Sequence, residues 1–173
     1  MKQFLICVYI LAFSNSLFSQ EMKTDSIMTK ESNYQWISEL NSEKSINSKV
    51  QLIEKKIFTD SNYKSTKDSK LLKFQVLKDK TVTESFKIAY NKTDFECKLI
   101  FYLSFNKRKV YELDINKNIK TVEILELIQQ NDIDNVTVFT GPDMIHLYGI
   151  EKCGIVTIYS SNRKLKRKVK NVL

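Results

Sequence analysis

The sequence predicts an α+β fold, in which an N-terminal helical segment precedes a small sheet that is mainly antiparallel or mixed. Apolar residues recur at helical spacing up to Ile57 and at alternate positions from Leu71 to Ile115. The C-terminal third then follows the order strand, helix, strand, compact turn, strand, which is a strand-helix-strand-strand unit. The 173 residues, 42% of them hydrophobic, fit one domain with a helical extension.

The N-terminus has the features of a secretory signal peptide. Lys2 precedes an apolar run at residues 4–13, and small or polar residues follow at 14–19. The run is too short to cross a bilayer, and no later stretch is long and apolar enough to do so. We therefore expect residues 1–19 to be removed, residues 20–32 to form a flexible lead-in, and the chain to reside in the periplasm or at the outer membrane.

Residues 33–69 show helical spacing followed by a polar stretch. The pattern predicts two short helices, or one helix interrupted near Asn41 and Ser42. From Thr59 to Ser69 the residues are polar and favour a loop or linker. The apolar positions behind this prediction are Trp36, Ile37, Leu40, Ile46, Val50, Ile53 and Ile57.

Residues 70–115 have the alternation that is typical of β-strands, and we expect a β-rich region. Residues 95–105 are apolar on both faces, which predicts a central strand. Residues 82–90 and 108–115 alternate and predict half-buried strands, although Glu84 interrupts the first of them. The alternating apolar positions are Leu72, Phe74, Val76, Val82, Phe86, Ile88, Tyr90, Val110 and Leu113.

The C-terminal third begins with a predicted helix. Thr121 is placed to cap residues 122–130, and Asn131 with Asp132 is expected to end that helix. Residues 136–139 and 155–159 are short β-branched runs, so each predicts a strand.

All three glycines and the only proline lie between the last two strands. Gly141 and Pro142 break the first strand, and proline suits the first turn of a helix because no N–H donor is needed there. Asp143 in that turn opposes the helix dipole favourably, and Gly149 suits a helix end in the left-handed conformation. Gly154 opens the final strand and permits a close backbone approach. These residues predict a strand, short helix, strand corner.

Three segments around this corner follow a known order, namely residues 133–138, Tyr148-Gly149 and residues 153–158. Together they resemble the end of the plug domain of TonB-dependent outer-membrane receptors, and the resemblance covers about residues 100–160. Here the short helix is not rich in alanine and serine, Cys153-Gly154 replaces Asn-Gly, and no TonB box is recognised. The resemblance implies a free-standing plug-like domain, as in exported proteins of Bacteroidota. Because no barrel follows, we do not expect a transporter by itself.

Two cysteines remain after the expected signal peptide. Cys97 and Cys153 both lie in strand-like segments, and an exported chain meets an oxidising compartment. They could form a disulfide if their strands are neighbours. The alternative is two buried, unpaired thiols.

The sequence carries few residues for catalysis. His146 is the only histidine, and it could pair with Cys153 as base and nucleophile or with Asp143 as metal ligands. Two ligands do not make a metal site, and no CxxC, HExxH, GxSxG or phosphate-binding glycine loop occurs. We expect no metal, no cofactor and no enzymatic activity. The alternative is a small periplasmic hydrolase or thiol-dependent enzyme that uses His146 and Cys153.

The formal net charge is +8, and basic residues are concentrated near the C-terminus. We expect residues 161–173 to be a solvated basic tail; the alternative is docking to anionic lipid or lipopolysaccharide. Nucleic acid is not expected, because the aromatic residues at 101–105 fit a core better than a stacking platform. The leading hypothesis is a non-enzymatic envelope module that binds an outer-membrane or periplasmic protein, or a ligand, through an edge strand or the loop around His146. The candidate binding residues are His146, Tyr148, Arg163, Lys164, Lys166 and Arg167.

Overall fold

A computed structural model describes residues 28–63, 75–105, 109–129, 133–148 and 152–173. Within these ranges the fold is α+β, as predicted, with helices and strands interleaved after an N-terminal helical part. Residues 1–27, which include the expected signal peptide, lie outside the described residues, as do Leu72, Phe74, Asn131, Asp132 and Gly149. The elements are α1 (Lys30–Ser42), α2 (Ile46–Ser61), α3 (Val82–Lys92), β1 (Lys98–Phe105), β2 (Lys109–Glu112), α4 (Thr121–Gln129), β3 (Asn135–Thr140), α5 (Pro142–Tyr148), β4 (Lys152–Tyr159) and α6 (Arg163–Val172).

The four strands form one mixed sheet in the order β2-β1-β4-β3. The central strands β1 and β4 run parallel, and each pairs with an antiparallel edge strand. Six of the eight residues of β1 are buried, so both faces of this strand are covered. The prediction of a central strand within residues 95–105 is therefore confirmed, because a strand apolar on both faces is stable only inside a sheet.

The first helix begins earlier than predicted. The Thr29 side chain caps α1 by accepting the backbone N–H of Ser32 at 3.1 Å, and Met28 is only 1% exposed. A flexible lead-in that reaches residue 32 is therefore wrong for residues 28–32, because a buried methionine and a capped helix fix them. Helix α2 also extends to Ser61, so residues 59–61 are helical rather than part of a linker.

The strand predicted at residues 82–90 is wrong, because this segment is helix α3. Thr81 and Glu84 form a capping box, in which each side chain bonds the other residue's backbone N–H. Phe86 and Tyr90 are buried four residues apart on one helix face, whereas Val82 is 57% exposed. Apolar residues at 86 and 90 satisfy both a period of two and helical spacing, and the capping box decides between them.

The Thr81 cap gives a direct test of this assignment. Thr81→Ala is expected to lower the free energy of unfolding by about 1 kcal/mol, because it leaves the backbone N–H of Glu84 without its acceptor. Urea unfolding measures the loss, with Thr83→Ala as a control inside the same helix. An equal loss in the two variants would contradict the capping role.

Strand β2 and the turn after it differ in detail from the prediction. The strand covers only Lys109–Glu112, and Val110 is 54% exposed while Leu113 is buried. Thr121 is the first residue of α4 rather than a cap, and its hydroxyl donates to the Asp114 carbonyl at 3.2 Å. The Asp114 carboxylate accepts the backbone N–H of Asn116 at 2.9 Å, so the chain reverses through an Asx turn before the helix.

The C-terminal segment is a packed helix, so the prediction of a solvated tail is wrong. The Asn162 side chain caps α6 by accepting the backbone N–H groups of Lys164 and Leu165. Leu165 and Val169 are fully buried in the core, and Val172 is partly buried against it. This apolar stripe at i, i+4 and i+7 attaches the helix to the core. The many Lys and Arg residues of the helix made the stripe difficult to recognise in the sequence.

The structure joins Cys97 and Cys153 in a disulfide, with their Cα atoms 5.4 Å apart. Cys97 lies immediately before β1 and Cys153 is the second residue of β4, so the bridge ties the beginnings of the two central parallel strands. The Asn33 side-chain amide donates to the Cys97 carbonyl at 2.8 Å and thereby connects α1 to the same point.

Candidate anion-binding cleft

Helix α6 presents three different faces. Leu165, Val169 and Val172 point toward the core. A second face lines a cleft beside β1 and β2, whereas Lys164 and Lys168 are exposed and do not line it. The residues of the cleft face are Arg163, Lys166, Arg167 and Lys170.

The cleft lies between this face of α6 and the antiparallel pair of β1 and β2. Its volume is about 450 Å³. Phe105 and Tyr111 line it with their rings 6.1 Å apart in an edge-to-face arrangement, and Lys109 lines it from the same face of the sheet. Ser160 and Ser161 line it at the N-terminal end of α6. Among the residues that the structure describes, five cationic side chains therefore surround one concavity, and no carboxylate lines it.

The cations of α6 repel one another in the helix. Arg163 and Arg167, and likewise Lys166 and Lys170, are four residues apart, and like charges at this spacing destabilise a helix. The first turn contains Arg163 and Lys164 but no acidic residue, so positive charge also lies at the positive end of the helix dipole. The Asn162 cap and the buried apolar stripe offset this cost. An anion in the cleft would lower the repulsion, since it would stand within reach of several cations together.

A nearby carboxylate is already engaged. Asp134 accepts the backbone N–H of Ser161 at 2.5 Å and is not part of the cleft lining. This bond fixes the segment between β4 and α6.

The structure separates the candidate binding residues into two regions. Arg163, Lys166 and Arg167 come together in the cleft, whereas Lys164 points away from it. Tyr148 ends α5 and is 53% exposed elsewhere on the molecule. The side chain of His146 lies outside the described residues.

Six residues of the cleft were not among the candidate binding residues, and two of them, Lys109 and Tyr111, lie on β2. Both alternate with Val110 in β2, so they share one face of the strand. That alternation was visible in the sequence. Their approach to α6, some fifty residues later in the chain, was not visible, because the sheet and the core set it.

Near Tyr148 lies Tyr102, a partly buried tyrosine of β1. Burial raises the pKa of the Tyr102 hydroxyl, and the Glu112 carboxylate and the Tyr148 hydroxyl raise it further, while Lys117 lowers it. A phenol whose pKa is raised stays neutral at physiological pH. Tyr102 thus offers a neutral hydroxyl and no charge for a ligand.

The glycine-containing corner has a structural role. Gly141 has φ 116°, which an L side chain adopts only with strain, and it ends β3 directly before Pro142 starts α5. Asp143 pairs with Lys87 at 3.1 Å and so links α5 to α3. A Cβ at Gly154 would stand 2.6 Å from Leu99 Cδ2. These residues turn β3 into β4 and hold the corner against its neighbours.

Gly154 provides a test of this close approach. Gly154→Ala is expected to lower the free energy of unfolding by roughly 1 to 3 kcal/mol, because the added methyl group overpacks against buried Leu99. Thermal unfolding measures it. The double variant Gly154→Ala/Leu99→Ala should lose less free energy of unfolding than the sum of the two single losses. Strict additivity would show that the two side chains do not meet.

The disulfide bears on the thiol-enzyme hypothesis. Cys153 is 1% exposed and bonded to Cys97, so it offers no free thiol to act as a nucleophile. Among the residues that the structure describes, no group of three or more His, Cys, Asp or Glu side chains could hold a metal ion. The bridge therefore removes the free Cys153 thiol that a pairing with His146 would need, and the side chain of His146 lies outside the described residues.

None of the helices within the described ranges is long and apolar enough to cross a membrane. Comparisons with protein-family models, curated proteins and solved structures gave no match for this chain.

Proposed function

We propose that this chain is an exported, non-enzymatic binding module of the cell envelope, and that it holds an anionic ligand in the cleft of α6. The observation that carries the proposal is the set of five cations around one cleft that no carboxylate within the described ranges lines. The resemblance of residues 100–160 to a receptor plug domain supports an envelope location and a binding role.

The chemistry of the cleft favours an oxyanion such as a phosphate group. Arg163 and Arg167 carry planar guanidinium groups that bond two oxygens of one phosphate, and the lysines add mobile ammonium charges. The volume of about 450 Å³ falls within the range of sites that take small ligands. Phe105 and Tyr111 add apolar surface beside the charged side chains. The cleft can therefore enclose a discrete anionic group.

A protein partner at an edge strand has less support. In β3 the Asn135 side chain accepts the backbone N–H of its neighbour Val136 at 2.8 Å. This bond occupies a donor at the beginning of an edge strand, where an added strand would need it. The basic cleft has no comparable occupant among the described residues.

Titration with inorganic pyrophosphate tests the proposal, because this probe is small, highly charged and soluble. We expect saturable binding by calorimetry that Lys166→Gln/Lys170→Gln weakens roughly tenfold, since two charge contacts at the cleft are lost. The matched control is Lys164→Gln/Lys168→Gln, which removes the same charge from the same helix but outside the cleft. Glutamine and lysine have similar helix propensities, so both variants should keep the helix.

The two double variants also show which results would contradict the proposal. Equal weakening in both variants would show that pyrophosphate responds to the general charge of α6 and not to the cleft. Absence of saturable binding to the parent chain at low ionic strength would contradict the proposed function itself.

A further inference from the structure

The apolar stripe of α6 cannot enter a membrane, because the fold already buries it. An amphipathic helix that lies in a lipid interface inserts its apolar face among the acyl chains. In α6 that face is Leu165 and Val169, and both are 0% exposed. The surface that remains for contact is the cationic one, with Arg163, Arg167 and Lys170 exposed at the cleft.

The cationic surface is longer than one compact anion. Arg163 and Lys170 are seven residues apart, which corresponds to about 10 Å along a helix. Lys109 extends the surface across the cleft onto β2. A ligand that satisfies all of these cations presents several anionic groups side by side, which is the arrangement on the surface of an anionic membrane.

The aromatic residues of the cleft favour a lipid over a nucleic acid as its ligand. Single-stranded nucleic acid is held by exposed rings on which bases stack. Phe105 is 1% exposed and Tyr111 is partly buried against it. The buried Phe105 ring therefore offers no free face to a base.

We infer that the anion is the phosphate headgroup of a membrane lipid, and that the chain docks peripherally on an anionic lipid surface through α6 and Lys109 without inserting apolar residues. Arg163 and Arg167 bind one headgroup in the cleft, and Lys109 and Lys170 meet its neighbours. The inference rests on the proposed function, since the same cations serve both. It predicts attachment that salt reverses, because screening shortens the reach of exposed charges.

Co-sedimentation of the mature chain, without the expected signal peptide at residues 1–19, with lipid vesicles tests the inference. We expect the chain to sediment with phosphatidylcholine vesicles that contain phosphatidylglycerol, and to stay in solution with phosphatidylcholine alone. About 1 M NaCl, at which the screening length is roughly 3 Å, should release it. Lys166→Gln/Lys170→Gln should lower partitioning of the chain onto the vesicles roughly 30-fold, because each cation near an anionic surface contributes a factor of about five. Lys164→Gln/Lys168→Gln should lower it less than fivefold.

Several outcomes would overturn the inference. Equal binding to both kinds of vesicle, or binding that salt does not release, would show attachment through apolar insertion. Equal losses in the two double variants would show that the cleft is not the lipid site. Saturable binding of pyrophosphate without binding to phosphatidylglycerol vesicles would assign the cleft to a soluble phosphate ligand, and the proposed function would then stand without the lipid. Loss of both kinds of binding would remove the proposed function as well.

Discussion

Removal of the Cys97–Cys153 disulfide is expected to lower the free energy of unfolding by about 4 kcal/mol, because the bridge closes a loop between residues 56 positions apart. The double variant Cys97→Ala/Cys153→Ala isolates this effect, since neither thiol then remains to form other bridges. Urea unfolding of the variant and of the oxidised parent measures the difference. A loss below about 1 kcal/mol would contradict the expected constraint on the unfolded chain.

The position of the disulfide explains why so large an effect is expected. It joins the beginnings of β1 and β4, which form the parallel centre of the sheet although much of the chain separates them in sequence. Such non-local pairing carries a high cost in loop-closure entropy. Reduction of the parent with a thiol should reproduce the loss. Agreement between reduction and substitution would separate the constraint from any packing effect of the two alanines.

Leu165→Ala is expected to lower the free energy of unfolding by about 3 kcal/mol, because it empties a fully buried position where α6 meets the core. The same substitution should weaken pyrophosphate binding, since α6 carries four of the five cleft cations. Urea unfolding and calorimetry measure the two effects. Stability loss without any change in binding would mean that the cleft does not depend on how α6 is docked.

Val172→Ala is the control for this prediction. Val172 lies on the same apolar stripe but is only partly buried, so its truncation should cost less than Leu165→Ala. A larger loss from Val172→Ala than from Leu165→Ala would show that the end of the helix, and not its middle, attaches it to the core.

The sequence predicted most accurately where one pattern acted alone. Residues 98–105 are apolar at nearly every position, and only a strand inside a sheet satisfies them. Gly141 has a positive φ, Pro142 starts α5, and Gly154 leaves room for the Leu99 side chain, so local chemistry favoured the corner between β3 and β4.

Prediction was wrong where two patterns competed. Phe86 and Tyr90 fit a strand as well as a helix, and the Thr81–Glu84 capping box at the beginning of α3 was the deciding signal. In α6 the cations drew attention away from the spacing of Leu165 and Val169. The capping residue Asn162 and that spacing together would have indicated the helix.

The cleft could not be predicted from the sequence alone. Lys109 and Lys170 share it only because β2 lies at the edge of the sheet and α6 returns to the same face. No local pattern encodes this approach, since it depends on the strand order β2-β1-β4-β3 and on the burial of Leu165. The basic residues of α6 could be recognised in the sequence, whereas the position of Lys109 beside them depends on the fold.

Mapping of pyrophosphate contacts by heteronuclear NMR tests whether the cleft of α6 binds an anion, because it locates the anion as well as detecting it. Binding in the cleft predicts saturable chemical-shift changes of backbone amides in two segments far apart in sequence. These are the segments around Lys109 to Tyr111 and from Ser160 to Lys170. Shifts centred on α5 near Tyr148, or spread evenly over lysine-bearing surfaces such as Lys44 and Lys55, would contradict it.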